Sequence, residues 1–217
     1  MDATRSLSTS LVMILSTIVF LALFQVGHAA FDGERFSGDY ELLVEYKVHT
    51  ADKTFAGTNS NLSFSFGYLG DSTDKLVYHQ EGVAPKLGRT NFEQDQIDTF
   101  SDVLSGANYK KVEAACAKQS TKEAEYKNCL TRPNIVFIDA QSKKLFGIAD
   151  DWMLDSISVK VTVRSTSTKE AKATGSSQFL AQDKWIKPKR KYYLRSTEEG
   201  APTLINKGVP VDGRAYP

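Results

Sequence analysis

The residues able to do chemistry are few. The chain holds three histidines, His28, His49 and His79, and two cysteines, Cys116 and Cys129. No pair of histidines stands at metal-binding spacing, and the sequence shows neither a nucleophile elbow nor a glycine-rich phosphate loop. A histidine serves a serine or a carboxylate as general base only when neighbouring groups orient it. His49 and His79 each fall in an extended stretch and read more simply as strand-surface residues. The two cysteines lack a nearby histidine and are too few for a zinc site. In an oxidising compartment they pair with each other, closing a short loop and adding roughly 3 kcal/mol of stability. Catalysis has no visible seat, so the chain is expected not to be an enzyme.

Binding has three. Residues 53–57 put Phe55 at an apolar loop tip beside Asp52 and Asn59, and residues 144–149 put Phe146 and Ile148 at another beside Asp150. An aromatic or aliphatic tip gains ~25 cal/mol per Å² buried in an acyl boundary, which for three such side chains supports reversible peripheral attachment. The competing reading folds Phe55 and Phe146 inward as loop anchors. Lys184, Lys187, Lys189, Arg190 and Lys191, interleaved with Trp185, Tyr192 and Tyr193, form a basic cluster. It suits anionic headgroups or a sulfated glycan at ~1 kcal/mol per charge, or it is a strand edge that lysines keep from pairing. The whole chain is near neutrality, with 27 Lys and Arg against 26 Asp and Glu, so nothing in its balance asks for nucleic acid. Asn61-Leu62-Ser63 is a glycosylation acceptor pattern that abuts a strand.

The elements that must position these residues are short and extended. Residues 1–29 read as a secretory leader, with Arg5, an apolar run from residue 11 and small residues at Gly27 and Ala29 before the cleavage point. An uncleaved membrane anchor is the alternative, although the run falls short of the ~20 residues that cross a bilayer. Residues 30–39 are a linker, 40–195 the folded domain, and 196–217, with Pro202, Gly208, Pro210 and Gly213, an extended or disordered tail. Alternation marks strands at residues 40–50 and 62–68, with a weaker one at 76–78. Phe92, Ile97 and Phe100 supply the next apolar set, and residues 109–113 begin another strand. Residues 113–128 turn Ala-, Lys- and Glu-rich, a helical or mobile excursion whose base the cysteines pin. Residues 135–138 read as a strand buried on both sides, and residues 166–175 as a flexible connection before strands at 177–181 and 185–186. In the longest alternating run, residues 152–163, the phase slips at Asp155-Ser156, which predicts a bulge, and Trp152 is the expected plug of the core. Turn-punctuated short strands predict an all-β antiparallel sandwich.

Three segments in order carry a resemblance. Asp151-Trp152-Met153-Leu154-Asp155-Ser156-Ile157-Ser158-Val159 resembles the signature strand of the PLAT family, the lipoxygenase homology domain shared by polycystins, lipoxygenases and clostridial alpha-toxin. Residues 46–50 with 55–62 resemble its first strand and Gly-Thr loop, and residues 91–100 its central Phe-Glu-x-x-x-x-Asp-x-Phe segment. The resemblance implies an eight-stranded sandwich of two four-stranded sheets and a non-catalytic module that binds lipid or a membrane surface. It also implies calcium held at one end, here by Asp52, Gly57, Asn59 and Asp150. Where the family often has Asp, this chain has Asn59, which weakens the pull on a divalent ion. The stretch around Cys116 and Cys129 departs from the family's tight connection, and it is the surface an alternative protein–protein interaction module would use.

Overall fold

Period-two alternation turns Leu42, Val44, Tyr46 and Val48 of β1 (Tyr40–Thr50) into a buried interior, and it sets the pattern for the rest. The computed structural model describes residues 33–58, 61–70, 76–83, 92–141, 151–187, 190–196 and 205–206, with the backbone alone at 81–83, 182–184, 190 and 205–206. The further strands are β2 (Asn61–Leu69), β3 (Leu76–Val83), β4 (Ile97–Leu104), β5 (Ile135–Gln141), β6 (Trp152–Ser165), β7 (Ala171–Ile186), β8 (Arg190–Arg195) and β9 (Ile205–Asn206). They form two antiparallel sheets, ordered β4-β1-β6-β7 and β3-β2-β5-β8-β9. The expected sandwich is therefore present, with a two-residue ninth strand added where β9 pairs with β8. The leader, residues 30–32 of the linker and most of the tail lie outside the described residues.

Trp152 is 1% exposed, and its ring packs edge-on against Phe64 at 6.2 Å and Phe92 at 5.4 Å. Its indole N–H donates to Thr50 Oγ1 at 3.0 Å, so the buried donor is satisfied within the core. The phase slip falls where expected. His49 pairs with Ser156 while Thr50 pairs with Leu154, leaving Asp155 as the extra residue of a bulge, and the β6–β7 ladder shifts at the same place.

The stretch before and between the cysteines is ordered and helical. Residues 109–113 are not a strand but lie inside α1 (Gly106–Gln119), because Tyr109, Val112 and Cys116 recur at helical spacing and share one buried face. Together with α2 (Glu123–Thr131), which buries Tyr126, Cys129 and Leu130, α1 closes the end of the sandwich where β1 begins and β4 and β6 stop. The Cys116–Cys129 bridge joins the two helices with their Cα atoms 5.6 Å apart. Glu113, 7% exposed, accepts from Arg35 at 3.0 Å and from the Tyr126 hydroxyl at 3.0 Å. Tyr126 in turn accepts from the Phe36 N–H at 3.0 Å, and Tyr109 donates to the Phe36 carbonyl, so residues 35 and 36 are tied down onto the helices. The last turn of α2 lies directly on β7: a Cβ at Gly175 would come within 2.7 Å of Thr131 Oγ1.

Two further expectations change. Ile97 points outward and is 49% exposed, because the inward positions of β4 are those of Asp98, Phe100 and Leu104. Residues 166–170 form a bonded turn rather than a flexible link, and β7 has begun by Ala171. Thr166 N donates to the Asp39 carbonyl, while Lys169 and Arg164 both bond the buried Glu41 carboxylate, at 2.8 and 2.7 Å. Those cations, Lys169 first, hold the Glu41 carboxyl below the usual carboxylate range against the opposing effect of burial.

Replacing Thr50 with Val keeps the shape of its side chain and removes the acceptor of the Trp152 N–H. Urea unfolding is expected to show a loss of about 1–3 kcal/mol for T50V, with T50S close to the parent.

Candidate functional site: the open end of the sandwich

Opposite the helices, β1, β5 and β7 end and β4, β6 and β8 begin, and no helix among the described residues covers this end. The loop after β1 is fixed at its base. Ala51 N donates to the Met153 carbonyl and Met153 N to the Ala56 carbonyl, each at 3.0 Å, and Thr58 N donates to the Phe92 carbonyl at 3.1 Å. Ala51, Ala56 and Met153 pack together as a small apolar footing. What rises from this footing is Phe55, 86% exposed, with a left-handed backbone at φ 65°. A non-glycine residue there carries about 1–2 kcal/mol of strain, so the projecting tip is held by the bonds around it. The inward-anchor reading of Phe55 therefore fails, because the alanines do the anchoring.

Other predicted residues gather nearby. Trp185, opposite Met153 in β7, is 41% exposed, and Lys187 is exposed just beyond it. Lys191 is half-buried in β8, beside Asp139 of β5 in the ladder. Asp52 is exposed and accepts from Gln94 Nε2 at 2.9 Å. Gly57 lies so close to the loop before β4 that a Cβ there would sit 3.1 Å from a Glu93 carboxylate oxygen. Asn61 is exposed at the start of β2. Asn59, Phe146, Ile148, Asp150 and Lys189 lie outside the described residues, as do the side chains of Lys184 and Arg190. Among the described residues no three His, Cys, Asp or Glu side chains are placed to share a metal ion, and of the four expected calcium ligands only Asp52 and Gly57 are described.

A group that sequence reasoning passed over stands at the centre. His49, facing out from β1, has Nδ1 2.8 Å from Asp155 Oδ2 and Nε2 3.2 Å from Asp95 Oδ1. Ser156 Oγ donates to the same Asp155 oxygen at 2.9 Å. Burial opposes the charged ring, but the bonds and charges of the two carboxylates prevail and hold its pKa above the usual 6.5. The signal was the slip at Asp155-Ser156, because a bulge re-aims side chains. Asp98, buried nearby, accepts from Phe92 N at 2.8 Å, and desolvation raises its carboxyl above the usual range. His79 stands apart, on the other sheet, with Nε2 2.9 Å from Ser65 Oγ and its ring 4.4 Å from that of Phe137. Across the outer face of β4-β1-β6-β7 runs a groove of about 520 Å³, lined by Thr99, Phe100, Ser101, Ser158 and Ser176 together with the Glu45–Lys160 ion pair.

Because Phe55 contributes little buried surface and strains its backbone, F55G is expected to leave unfolding free energy unchanged or raise it by up to about 1 kcal/mol, as relief of strain offsets glycine's added chain entropy. A loss above that size in thermal or urea unfolding would show that the ring is a structural anchor after all.

No protein-family model matches this chain, and no curated protein matches it in sequence. Solved structures similar to it include a lipoxygenase variant, 11% identical over 73% of this chain and 17% of that one, with a TM-score of 0.46. A coral 8R-lipoxygenase described for calcium activation via a C2-like domain is 11% identical over 74% of this chain and 18% of that one, with a TM-score of 0.42. Alpha-toxin from Clostridium absonum is 17% identical over 74% of this chain and 33% of that one, with a TM-score of 0.41. The chain thus spans less than a fifth of the lipoxygenases it resembles and a third of the toxin.

Proposed function

We propose that this chain is an exported, non-catalytic binding module that attaches reversibly to a lipid surface through the open end of its sandwich. The observation that carries the reading is Phe55: a large apolar side chain, 86% exposed, at the tip of a loop whose base is bonded on several sides. Trp185, 41% exposed, adds a second aromatic to the same end, and Lys187 adds a cation beside it. Aromatic side chains bury about 150–250 Å² each, so at ~25 cal/mol per Å² two of them supply several kcal/mol, the range of a peripheral contact. Asp52, Glu93 and Asp95 are exposed at this end too. They oppose approach to strongly anionic lipid, so apolar insertion rather than charge is the main attraction. No step of this mechanism passes through calcium; Asp52 and Gly57 are the described positions at which calcium assistance is proposed.

A second reading, a protein-interaction module using the helical cap, has one observation in its favour. Lys110, Lys111 and Lys118 are exposed on α1 and form no ion pair among the described residues, which suits an acidic partner.

Co-sedimentation of residues 30–217 with phosphatidylcholine vesicles, in calcium and in chelator, separates the two. Attachment is expected, and F55S and W185S are each expected to lower it by about tenfold, the factor that accompanies ~1.4 kcal/mol. Full attachment by both variants, or none by the parent, would overturn the lipid reading and turn attention to the lysines of α1.

A further inference from the structure

His49 connects three pieces of chain that the loop end needs in register. Its ring nitrogens face two carboxylates, Asp155 on β6 and Asp95 on the loop before β4. Both partners are acceptors, and a neutral imidazole has one N–H; only the imidazolium donates to both. Loss of a proton therefore leaves one nitrogen's lone pair against a carboxylate oxygen. Asp95 is the partner to be released, since its contact is the longer, 3.2 against 2.8 Å, and its side chain the more exposed, 65% against 38%. Asp95 also sits at φ 55°, a left-handed conformation that needs external bonds to persist.

The segment that Asp95 holds is the brace of the Phe55 loop. Asp95 N donates to the Ala51 carbonyl at 3.3 Å, Thr50 N to the Gln96 carbonyl at 3.0 Å, and Gln94 Nε2 to Asp52 at 2.9 Å. Facing His49 across the ladder are Ile97 on β4 and Ser156 on β6, neither of which titrates in this range. Among the described residues, the other charged groups next to it in the sheet are Lys47 on its own strand, exposed to solvent, and Asp98 on β4, turned to the interior.

We propose that His49 is a proton-operated latch on the loop that carries Phe55: as imidazolium it ties Asp95 to Asp155 and keeps the loop projecting, and on deprotonation it frees Asp95 and loosens the loop. This regulation rests on the lipid-binding reading of that end. The contribution of the latch is complete below pH 6.5, the ordinary imidazole value, and is lost as pH rises through the higher value that His49 has in the fold. Attachment thus strengthens on acidification, as it would at an acidified membrane surface.

The test uses phosphatidylcholine vesicles, whose headgroup keeps its charge over the range, with residues 30–217 between about pH 5.5 and 8.5. Attachment is expected to fall by about threefold or more as pH rises, as the loop's competent fraction drops. H49Q, which cannot titrate, is expected to flatten the profile and reports whatever Asp98 adds, while H79Q keeps it. In parallel, NMR on the free protein follows the His49 ring and the amides of residues 52–57 and 93–96. Those amides should shift in step with a ring titration above 6.5. An unchanged pH profile in H49Q, or a His49 titration that leaves the amides unmoved, would overturn the latch. Absence of vesicle binding at every pH would overturn the lipid reading, and the NMR titration alone would then uphold or overturn the latch.

Discussion

A buried indole must both fill space and place its N–H, and Trp152 does the two in opposite directions. Its ring reaches Phe64 of the facing sheet and Phe92 of the loop before β4, while its N–H fixes Thr50, the last residue of β1. Two loops of the open end are therefore tied to one side chain: residues 51–58 start at Thr50, and Phe92, held at φ 57° by its N–H bond to Asp98, supplies the carbonyl that Thr58 uses. The bulge at Asp155 follows from the same constraint. It lets β6 carry Leu154 inward beside Trp152 and still bring Ile157 and Val159 inward farther along, and the extra residue is turned toward His49.

The two ends of the sandwich solve the problem of an exposed core differently. At one end, α1 and α2 act as a lid, cross-linked by Cys116–Cys129 and sealed by Tyr109 and Tyr126, whose hydroxyls stay bonded. Burial lifts the Tyr109 hydroxyl beyond its ordinary range, so it remains a neutral donor at any physiological pH. Glu113 is tolerated there because Arg35 and Tyr126 satisfy it. At the other end the described loops are braced by backbone hydrogen bonds and a footing of Ala51, Ala56 and Met153, which leaves the Phe55 ring for the outside. This asymmetry separates a closed, cross-linked end from one whose geometry depends on a few exposed polar contacts.

Much of the fold was legible because strand periodicity survives in single sequence. The bounds of β1, the double-sided burial of β5 and the slip at Asp155-Ser156 all follow from apolar spacing. The helical cap was legible only in part: Tyr109 and Val112, three residues apart, span too little chain to distinguish the two periods, and α1 became visible only where alanines accumulate. Ile97 misled because β4 is an edge strand whose inward side holds Asp98, and sequence does not say which face is covered. At the candidate site, the exposure of Phe55 and of Lys187 was foreseeable from composition. The His49–Asp95–Asp155 cluster was not, since its members are separated by 46 and 106 residues and meet only through the sheet register.

The proposed lipid contact belongs to the open end and not to the helical cap. Hydrogen–deuterium exchange of the protein with and without phosphatidylcholine vesicles maps the contact without altering a residue. Slowed exchange is expected at residues 51–58 and 92–96, with residues 106–131 unchanged. Protection confined to residues 106–131, with the loops exchanging as they do in solution, would contradict it.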